Sequence, residues 1–323
     1  MMNSLTIGTC TLAWGERTYV MGILNLTPDS FSGDGLLSAS ETSFVNESAI
    51  REWDPAAVGE LALAQARKFL TAGADILDIG GESTRPGSQP VPAGEEISRV
   101  LPAIRAIAAE FPAAVISIDT SKAEVADEAF RAGAHMLNDV WALRADLQLA
   151  ALAARYKAAV VLMHNRSKPA HIEMNERIGK AYVGAEYQDL MEDVKRELME
   201  SVQIARQAGI PDDHILLDPG IGFGKTVQQN LELINHLAEI RLLGFPVVLG
   251  PSRKSFIGHT LDLPPDQRLE GTAAAVAVGI TRGADVVRLH DVEQMVRVVR
   301  MTDALVRARQ ADSSRTSPTP GPT

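Results

Sequence analysis

Polar residues stand where short apolar runs end in this chain of 323 residues. The clearest case is residues 215–226, ILLDPGIGFGKT, in which an apolar run leads to Asp218 and then to a proline and glycines. Such a run predicts a core strand of a parallel sheet that carries a carboxylate to its end before a turn. Residues 247–258 and 21–33 follow the same order. We interpret the three segments as loops that share one face of a barrel and build one site.

The same arrangement recurs along the chain, and Lys254 follows the predicted strand at 247–250 by four residues. The polar residues at predicted strand ends are Asn25, Asp78, Asp119, Asn138, His164, Asp218, Arg288 and His290. Buried carboxylates and amides are costly unless they are paired. A ring of such residues therefore implies that they partner a ligand or one another.

The chemistry of this ring suits a flat heterocycle that carries phosphate. A carboxylate accepts two parallel N–H bonds and an amide donates and accepts at once, which matches the amino–amide edge of a pterin. The cationic residues suit a phosphorylated group. Arg288 can make two parallel hydrogen bonds to phosphate oxygens and Lys254 can act as a point charge, together with His290 and Arg85.

Eight strand-and-helix units are predicted, and eight such units close into a TIM (β/α)8 barrel more naturally than into an open sheet. The predicted strands are 20–25, 76–79, 115–119, 136–138, 159–163, 215–218, 247–250 and 286–289. The first predicted helix begins at residue 55, and the others span about 92–110, 123–132, 145–156, 184–208, 228–243, 268–282 and 292–309. We expect one α/β domain over residues 1–310, which includes an N-terminal β-hairpin of two short strands in residues 4–20 with its turn around residues 14–17. We also expect a mobile first loop at 30–54 and a disordered Ser/Thr/Pro-rich tail at 311–323.

A short pattern occurs three times. A glycine, at 73, 133 or 283, is followed by an apolar strand, and a polar residue arrives five positions after the glycine: Asp78, Asn138 or Arg288. Glycine in that place is typical of a helix C-terminal turn. Because the carboxyl ends of barrel strands converge, the pattern predicts that the three polar residues lie on the active face.

The composition limits the function. A formal charge of −10 and a pI near 5.2 argue against a nucleic-acid partner. Cys10 is the single cysteine, so an intramolecular disulfide and a CxxC zinc cluster are both excluded. Neither a signal-like N-terminus nor an apolar run of membrane-spanning length is visible, and we expect a cytoplasmic protein without a membrane partner.

Several motifs together resemble those of the dihydropteroate synthases, over about residues 18–300. NLTPDSFS at 25–32 resembles the family's first signature, and DIGGESTRPG at 78–87 resembles its second. Asp119-Thr120, Asn138-Asp139, residues 216–224, Ser252-Arg253-Lys254 and Arg288-Leu289-His290 follow in family order. Each motif alone is a weak signal, but their order at predicted strand ends is specific.

The resemblance implies a TIM-barrel transferase that joins (7,8-dihydropterin-6-yl)methyl diphosphate to 4-aminobenzoate, giving 7,8-dihydropteroate and diphosphate in folate biosynthesis. It implies Mg2+ as cofactor, a homodimer formed through the later helices, and a sulfonamide target. The implied pterin contacts are Asp119, Asn138, Met163, Asp218, Gly222, Phe223 and Lys254. The implied diphosphate ligands are Asn25, Arg288 and His290, with Asn25 also on the metal. The implied 4-aminobenzoate pocket is Thr84, Arg85, Pro86 and Ser252, under a closing loop that carries Phe31. The implied catalytic residues are Asn25, Arg85, Lys254, Arg288 and His290.

The leaving group shapes the expected mechanism. Arg288 and His290, with magnesium, would neutralise the departing diphosphate. A dihydropterin can delocalise the resulting CH2 cation, so we expect an SN1-like ionisation without a covalent protein intermediate. Orientation of the arylamine would then matter more than a strong general base.

Other interpretations stay open. A non-catalytic pterin-binding paralogue is one, because residues 35–54 are longer than the family usually has and residues 32–35 read SGDG where SDGG is common. A methyltetrahydrofolate-binding methyltransferase is another, although it needs neither the Arg288/His290 pair nor the STRPG loop. His164 can equally be a satisfied core histidine, and Arg253 a structural ion-pair partner.

Overall fold

Strands and helices alternate along the chain, and the computed structural model describes them over residues 4–27, 55–83, 90–168, 172–175, 177–182 and 186–312. The strands in these ranges are β1 (Ser4–Ile7), β2 (Cys10–Ala13), β3 (Tyr19–Asn25), β4 (Ile76–Gly80), β5 (Val115–Asp119), β6 (Met136–Asp139), β7 (Ala159–Met163), β8 (Ile172–Asn175), β9 (Gly179–Tyr182), β10 (Ile215–Asp218), β11 (Val248–Leu249) and β12 (Val286–Leu289). The helices are α1 (Pro55–Ala72), α2 (Ala93–Glu110), α3 (Ala123–Arg131), α4 (Gln148–Tyr156), α5 (Leu190–Gln207), α6 (Val227–Asn235), α7 (Leu237–Arg241), α8 (Ser255–Leu261), α9 (Leu269–Thr281) and α10 (Val292–Asp312).

The barrel strands form one parallel sheet of eight, in the order β10-β7-β6-β5-β4-β3-β12-β11. A parallel bridge between Leu217 of β10 and Val247, the residue before β11, joins the two ends of that order. The predicted TIM (β/α)8 barrel is therefore confirmed. Its strand carboxyl ends lie together on one face.

Each barrel strand has an inner and an outer face, because successive side chains lie on opposite sides of a strand. In β4, Leu77 belongs to the large apolar cluster between strands and helices. Its neighbour Ile76 belongs to a second cluster inside the barrel. Asp78 therefore shares the inner face with Ile76, and the same alternation places Asn138 of β6 and Arg288 of β12 inside. The interior is apolar at the amino ends of the strands and polar towards their carboxyl ends.

The N-terminal hairpin closes the amino-terminal end of the barrel. Ile7 of β1 pairs with Cys10 of β2, so the hairpin turn lies at residues 8–9, where Gly8 has a φ of +57°. The hairpin is confirmed, but its predicted turn around residues 14–17 is wrong. Those residues instead connect β2 to the barrel, because Trp14 is buried in the inner cluster and packs edge-on against Tyr19 at a centroid distance of 5.6 Å.

The three repeated glycines end helices as predicted. Gly73, Gly133 and Gly283 have φ values of +106°, +114° and +103°. After each one, the next N–H donates to a carbonyl in the last turn of the helix, as Ala74 does to Phe69 at 2.9 Å. This bond pattern is that of a Schellman turn, which redirects the chain into the following strand.

Tertiary contacts change some predicted elements. Residues 172–175 and 179–182, expected as part of a loop, form the antiparallel pair β8–β9. Arg268 donates to the carbonyl of Ile178, just before β9, at 2.5 Å. The helix expected at 228–243 is divided at His236 into α6 and α7, and α8 was not predicted. The helix expected from residue 145 begins at Gln148, whose N–H donates to Oδ1 of Asp146 at 2.9 Å.

The last helix reaches Asp312, two residues beyond the predicted domain end at 310. The rest of the predicted tail and the predicted loop at 30–54 lie outside the described residues. None of the described helices is both long enough and apolar enough to cross a membrane.

Candidate active site

Arg288 joins two carboxylates inside the carboxyl end of the barrel. Its Nε donates to Asp78 Oδ2 and its Nη2 donates to Asp119 Oδ2, both at 2.6 Å. Asn138 Nδ2 donates to the same Asp78 oxygen at 3.0 Å. The three polar residues of the repeated pattern are thus in direct contact, with Asp119 added from β5.

Two oxygens of this network are buried and have no hydrogen-bond partner within the described part of the chain: Oδ1 of Asp78 and Oδ1 of Asp119. Buried acceptors are rarely left unpaired, because their lost hydration is not repaid. Their presence inside a barrel mouth indicates a ligand that brings N–H donors.

Burial and charge act against each other in this network. Burial raises the pKa of Asp119 to about 7, although Arg288 opposes the shift. Burial alone would lower the pKa of Arg288, but the carboxylates of Asp78 and Asp119 raise it above its usual value. The guanidinium is therefore charged, and Asp119 changes its charge near neutral pH.

Asp218 lies at the end of β10 and is fixed by the glycine turn that follows. Its Oδ1 accepts the N–H of Gly220 at 2.7 Å. Burial raises the pKa of Asp218, and Lys254 is the first of the groups that oppose this shift. Gly220 has a φ of +70°, and a Cβ there would lie 1.9 Å from the His164 carbonyl oxygen, so only glycine fits.

Lys254, at the start of α8, lies directly against the same turn. Its ammonium donates to the Ile221 carbonyl and lies 4.3 Å from the centroid of the Phe223 ring. Gly222 has a φ of +81°, which favours glycine, and a Cβ there would lie 2.8 Å from Lys254 Cδ. Burial lowers the pKa of Lys254 to about 8, and Asp218 opposes that shift. Asp218, Gly222, Phe223 and Lys254 therefore form one wall of the site.

His290 follows β12 and is bound to Ser252. The Ser252 Oγ accepts the backbone N–H of His290 at 3.1 Å and lies 3.0 Å from its Nδ1. The neighbouring Arg253 forms an ion pair with Asp291, in which Nε donates to Oδ2 at 2.8 Å. Arg253 is thus a structural ion-pair partner, the interpretation that the sequence had left open.

The remaining predicted residues divide into those on the barrel rim and those outside the described part of the chain. Met163 ends β7 opposite Asp218, and Asn25 ends β3 opposite Gly80. Both stand at strand carboxyl ends, as predicted. Outside the described residues are Phe31, Thr84, Arg85 and Pro86.

His164 is not on the rim but beneath the glycine turn, where it is almost fully buried. Its Nδ1 lies 2.9 Å from Nζ of Lys225, a residue that the sequence analysis missed as a candidate. Asn230, also missed, accepts the Gly222 N–H with its Oδ1 at 2.6 Å. The sequence feature that could have identified Lys225 is its place in a loop of otherwise small and apolar residues, because a charge buried there needs several polar partners.

Comparisons with known proteins agree with this geometry. The family model described as "Pterin binding enzyme" matches residues 21–290. A dihydropteroate synthase of Clostridium beijerinckii is 45% identical over 304 residues, which cover 94% of this chain and 100% of that protein. A dihydropteroate synthase of Clostridium difficile, solved with pteroic acid, has a TM-score of 0.77 at 42% identity and covers 91% of this chain and 98% of its own. That of Yersinia pestis, solved with a sulfonamide drug, has a TM-score of 0.80 at 37% identity, with 94% and 99% covered.

A parallel barrel with an acid–amide rim and nearby cations defines the class, and the chain belongs to the pterin-binding enzyme family. Within that family its similarity is to dihydropteroate synthases over nearly the whole of both chains. Its activity is accordingly that of a dihydropteroate synthase, a transferase of pterinylmethyl groups in folate biosynthesis.

Proposed function

We propose that the carboxyl face of the barrel condenses (7,8-dihydropterin-6-yl)methyl diphosphate with 4-aminobenzoate by an SN1-like reaction. The observation that carries the proposal is the pair of buried, unpartnered Oδ1 atoms of Asp78 and Asp119 beside Arg288. Acceptors next to a fixed cation fit a ligand with N–H donors at one end and negative charge at the other.

The pterin is bound through its amino–amide edge. From one side of the barrel the Asp119 carboxylate accepts N–H bonds of that edge while the Asn138 amide both donates and accepts, and the Asp218 carboxylate accepts from the other side. Phe223 and Met163 contact the faces of the ring, where aromatic and thioether groups pack well. The Lys254 ammonium, already over Phe223, lies beside the ring and helps to keep Asp218 ionised.

The diphosphate is bound by the charges at the end of β12. Arg288 uses Nε and one Nη2 hydrogen on the two aspartates, so its Nη1 donors are available to phosphate oxygens. Ser252 accepts a backbone N–H, and its hydroxyl proton is then directed to His290 Nδ1. This places the imidazole proton on Nε2, from which it is donated to a diphosphate oxygen.

Magnesium fits the site as an ion carried by the substrate. The described residues contain no cluster of three or more His, Cys, Asp or Glu side chains able to hold a metal. Mg2+ commonly uses one or two protein oxygens, several waters and substrate phosphates, so Asn25 at the rim suffices as its protein ligand. When bound, it would supply positive charge against the departing diphosphate.

The 4-aminobenzoate is proposed to bind beside Ser252, with Thr84, Arg85 and Pro86 completing the pocket and the loop of Phe31 closing over it. That similar enzymes were solved with pteroic acid, which contains both halves of the product, and with a sulfonamide supports a 4-aminobenzoate site in this fold. We accordingly expect sulfonamides to compete with 4-aminobenzoate.

Catalysis then rests on charge and position. Arg288 and His290 stabilise the charge of the leaving diphosphate, and Lys254 and Asn25 hold the two ends of the pterin substrate. Arg85 orients 4-aminobenzoate so that its amino nitrogen meets the exposed CH2 carbon. No protein side chain becomes covalently bonded to the pterin. When the C–N bond forms, the amino nitrogen loses one proton to solvent.

The partners proposed are small molecules and a second copy of the chain, with no nucleic acid and no membrane. A homodimer through the later helices is supported by exposed apolar side chains on them: Val278 of α9, and Met301, Leu305 and Val306 of α10. We also propose a cytoplasmic location, because a chain with Cys10 as its single cysteine suits a reducing compartment.

The experiment that tests the function supplies the pterin diphosphate, magnesium and radiolabelled 4-aminobenzoate. We expect labelled dihydropteroate and an equal amount of unlabelled diphosphate, with no pterin bound covalently to the protein. Pterin binding without product would instead identify a non-catalytic paralogue. Methyl transfer from methyltetrahydrofolate to a corrinoid would identify a methyltransferase.

A further inference from the structure

Lys225 is a buried ammonium group that the proposed chemistry does not use. The residue is 2% exposed, directly below the glycine turn at residues 219–224. Its Nζ lies 2.9 Å from His164 Nδ1, 2.9 Å from the Gly220 carbonyl oxygen and 3.0 Å from the Phe223 carbonyl oxygen. Burying an ammonium is costly unless each of its donors is used.

The number of partners matches the charged form of the lysine. An ammonium has three N–H donors, and three acceptors lie within 3.0 Å of Nζ. Burial lowers the pKa of Lys225, and the carboxylates of Asp218 and Glu197 oppose that shift. With a charged lysine, His164 accepts at Nδ1, which puts its ring proton on Nε2; this atom lies 3.2 Å from a Glu197 carboxylate oxygen, within ion-pair distance but without hydrogen-bond alignment. Burial lowers the pKa of His164 to about 3, so the ring is neutral in this role.

Lys225, His164 and Glu197 form a row of neighbouring side chains, and the Glu197 end of this row is fixed as well. Glu197 of α5 accepts from Arg166 Nε at 3.0 Å, and the Arg166 guanidinium lies 4.4 Å from the centroid of the Tyr187 ring. Tyr187 in turn donates its hydroxyl to the Gly224 carbonyl at 3.2 Å. The row therefore holds both ends of the turn, at Gly220 and at Gly224.

The turn held in this way forms part of the proposed pterin site. Lys225 draws the Gly220 and Phe223 carbonyls inward, and the Phe223 N–H donates to the Gly220 carbonyl at 3.1 Å. The opposite side of the turn then presents the Phe223 ring, and the Gly220 N–H remains directed at Asp218. The positions of two pterin contacts thus depend on one buried lysine.

We propose that Lys225 is a positioning residue for pterin recognition, acting through the Gly220–Phe223 turn and braced by His164 and Glu197. The proposal rests on the proposed pterin contacts of Asp218 and Phe223. It predicts a loss that is specific to the pterin substrate, since Ser252, the described member of the proposed 4-aminobenzoate pocket, bonds to His290 and is not among the partners of Lys225.

The test uses Lys225→Met, which keeps the length and removes every donor, and Lys225→Gln, which keeps an N–H donor without the charge. Lys195→Met is the matched control, because Lys195 pairs with Glu192 and Glu239 on the outside of the barrel. Binding of 6-hydroxymethylpterin is measured by calorimetry, and KM is measured for both substrates. Thermal melting checks the fold.

For Lys225→Met we expect a pterin Kd at least tenfold higher and a KM for the pterin diphosphate raised by a similar factor, with a KM for 4-aminobenzoate changed less than threefold. Lys225→Gln should fall between this variant and the parent, and Lys195→Met should match the parent. A folded Lys225→Met that binds the pterin like the parent, or one that raises both KM values equally, overturns the proposal.

If Lys225→Met does not fold, the Lys225→Gln variant provides the test. Parental values of the pterin Kd and KM in Lys225→Gln overturn the proposal, and weaker binding of the pterin alone supports it. A parent protein that does not bind the pterin at all would contradict the proposed function itself, which separates the two failures.

Discussion

At the scale of single residues, the site is a set of buried charges that compensate one another incompletely. Arg288 lets two carboxylates lie side by side in the barrel, yet each keeps an unpartnered oxygen. Pairing offsets the cost of burial only when every group is satisfied. A ligand with N–H donors, as proposed for the pterin, would pair with both oxygens and gain affinity from these hydrogen bonds.

The pH dependence of pterin binding follows from Asp119, whose pKa is raised by burial to about 7. The charged carboxylate is the acceptor, so affinity for 6-hydroxymethylpterin should fall as pH drops below about 7, approaching tenfold per pH unit for one added proton. Calorimetry between pH 5.5 and 8 would measure it. In Asp119→Asn, which cannot ionise, this fall should be much shallower; an equally steep fall would show that another group is responsible.

The same raised pKa has a stability consequence with a defined sign. In the unfolded chain Asp119 ionises near its ordinary value of 3.8, so ionisation destabilises the ligand-free fold progressively between about pH 4 and pH 7. Asp119→Asn should therefore gain melting temperature relative to the parent as pH rises through this window. A constant difference in melting temperature would contradict the assignment.

At the scale of elements, the barrel separates stability from function. The hairpin β1–β2 and the inner apolar cluster occupy the amino-terminal end, and the polar network occupies the carboxyl end. Rim residues of a TIM barrel usually serve the site, whereas the opposite end contributes to stability. Changes in the hairpin should therefore alter folding without altering ligand binding.

Trp14→Ala tests this separation. Trp14 is 8% exposed and packs against Tyr19, so its truncation should cost about 3–5 kcal/mol of unfolding free energy in a urea titration. Pterin affinity of the remaining folded protein should be unchanged. Leu147→Ala is the control, because Leu147 is 83% exposed and its loss should change stability by less than about 0.5 kcal/mol. Weaker pterin binding in folded Trp14→Ala would show that the two ends are coupled.

How far the sequence could predict these elements depends on where their causes lie. The strand ends were predictable because glycine turns and apolar runs are local, and Asp78, Asn138 and Arg288 indeed meet. The hairpin turn was placed wrongly because two glycine-containing turns lie close together, and burial of Trp14 decides between them. The role of Lys225 could not be predicted, since its acceptors come from His164, Gly220 and Phe223 only after folding.

At the scale of the whole molecule, the fold brings together residues that are far apart in the sequence. Asp78 and Arg288 are separated by 210 positions and form a hydrogen bond of 2.6 Å. The net charge of −10 is carried by a chain whose proposed substrate is itself anionic. The proposed binding therefore relies on the local cations Lys254 and Arg288 and on the N–H donor of His290 rather than on the overall field, which at low ionic strength opposes the approach of the substrate.

The most direct measurement is a crystal structure of the protein with the pterin diphosphate and magnesium. We expect the bicyclic ring between Asp119, Asn138 and Asp218, against Phe223 and Lys254, with N–H donors within about 3.2 Å of the carboxylate oxygens. The diphosphate should lie on Arg288 and His290. A pterin bound elsewhere, or one that leaves the Oδ1 atoms of both Asp78 and Asp119 without a partner, would contradict the account.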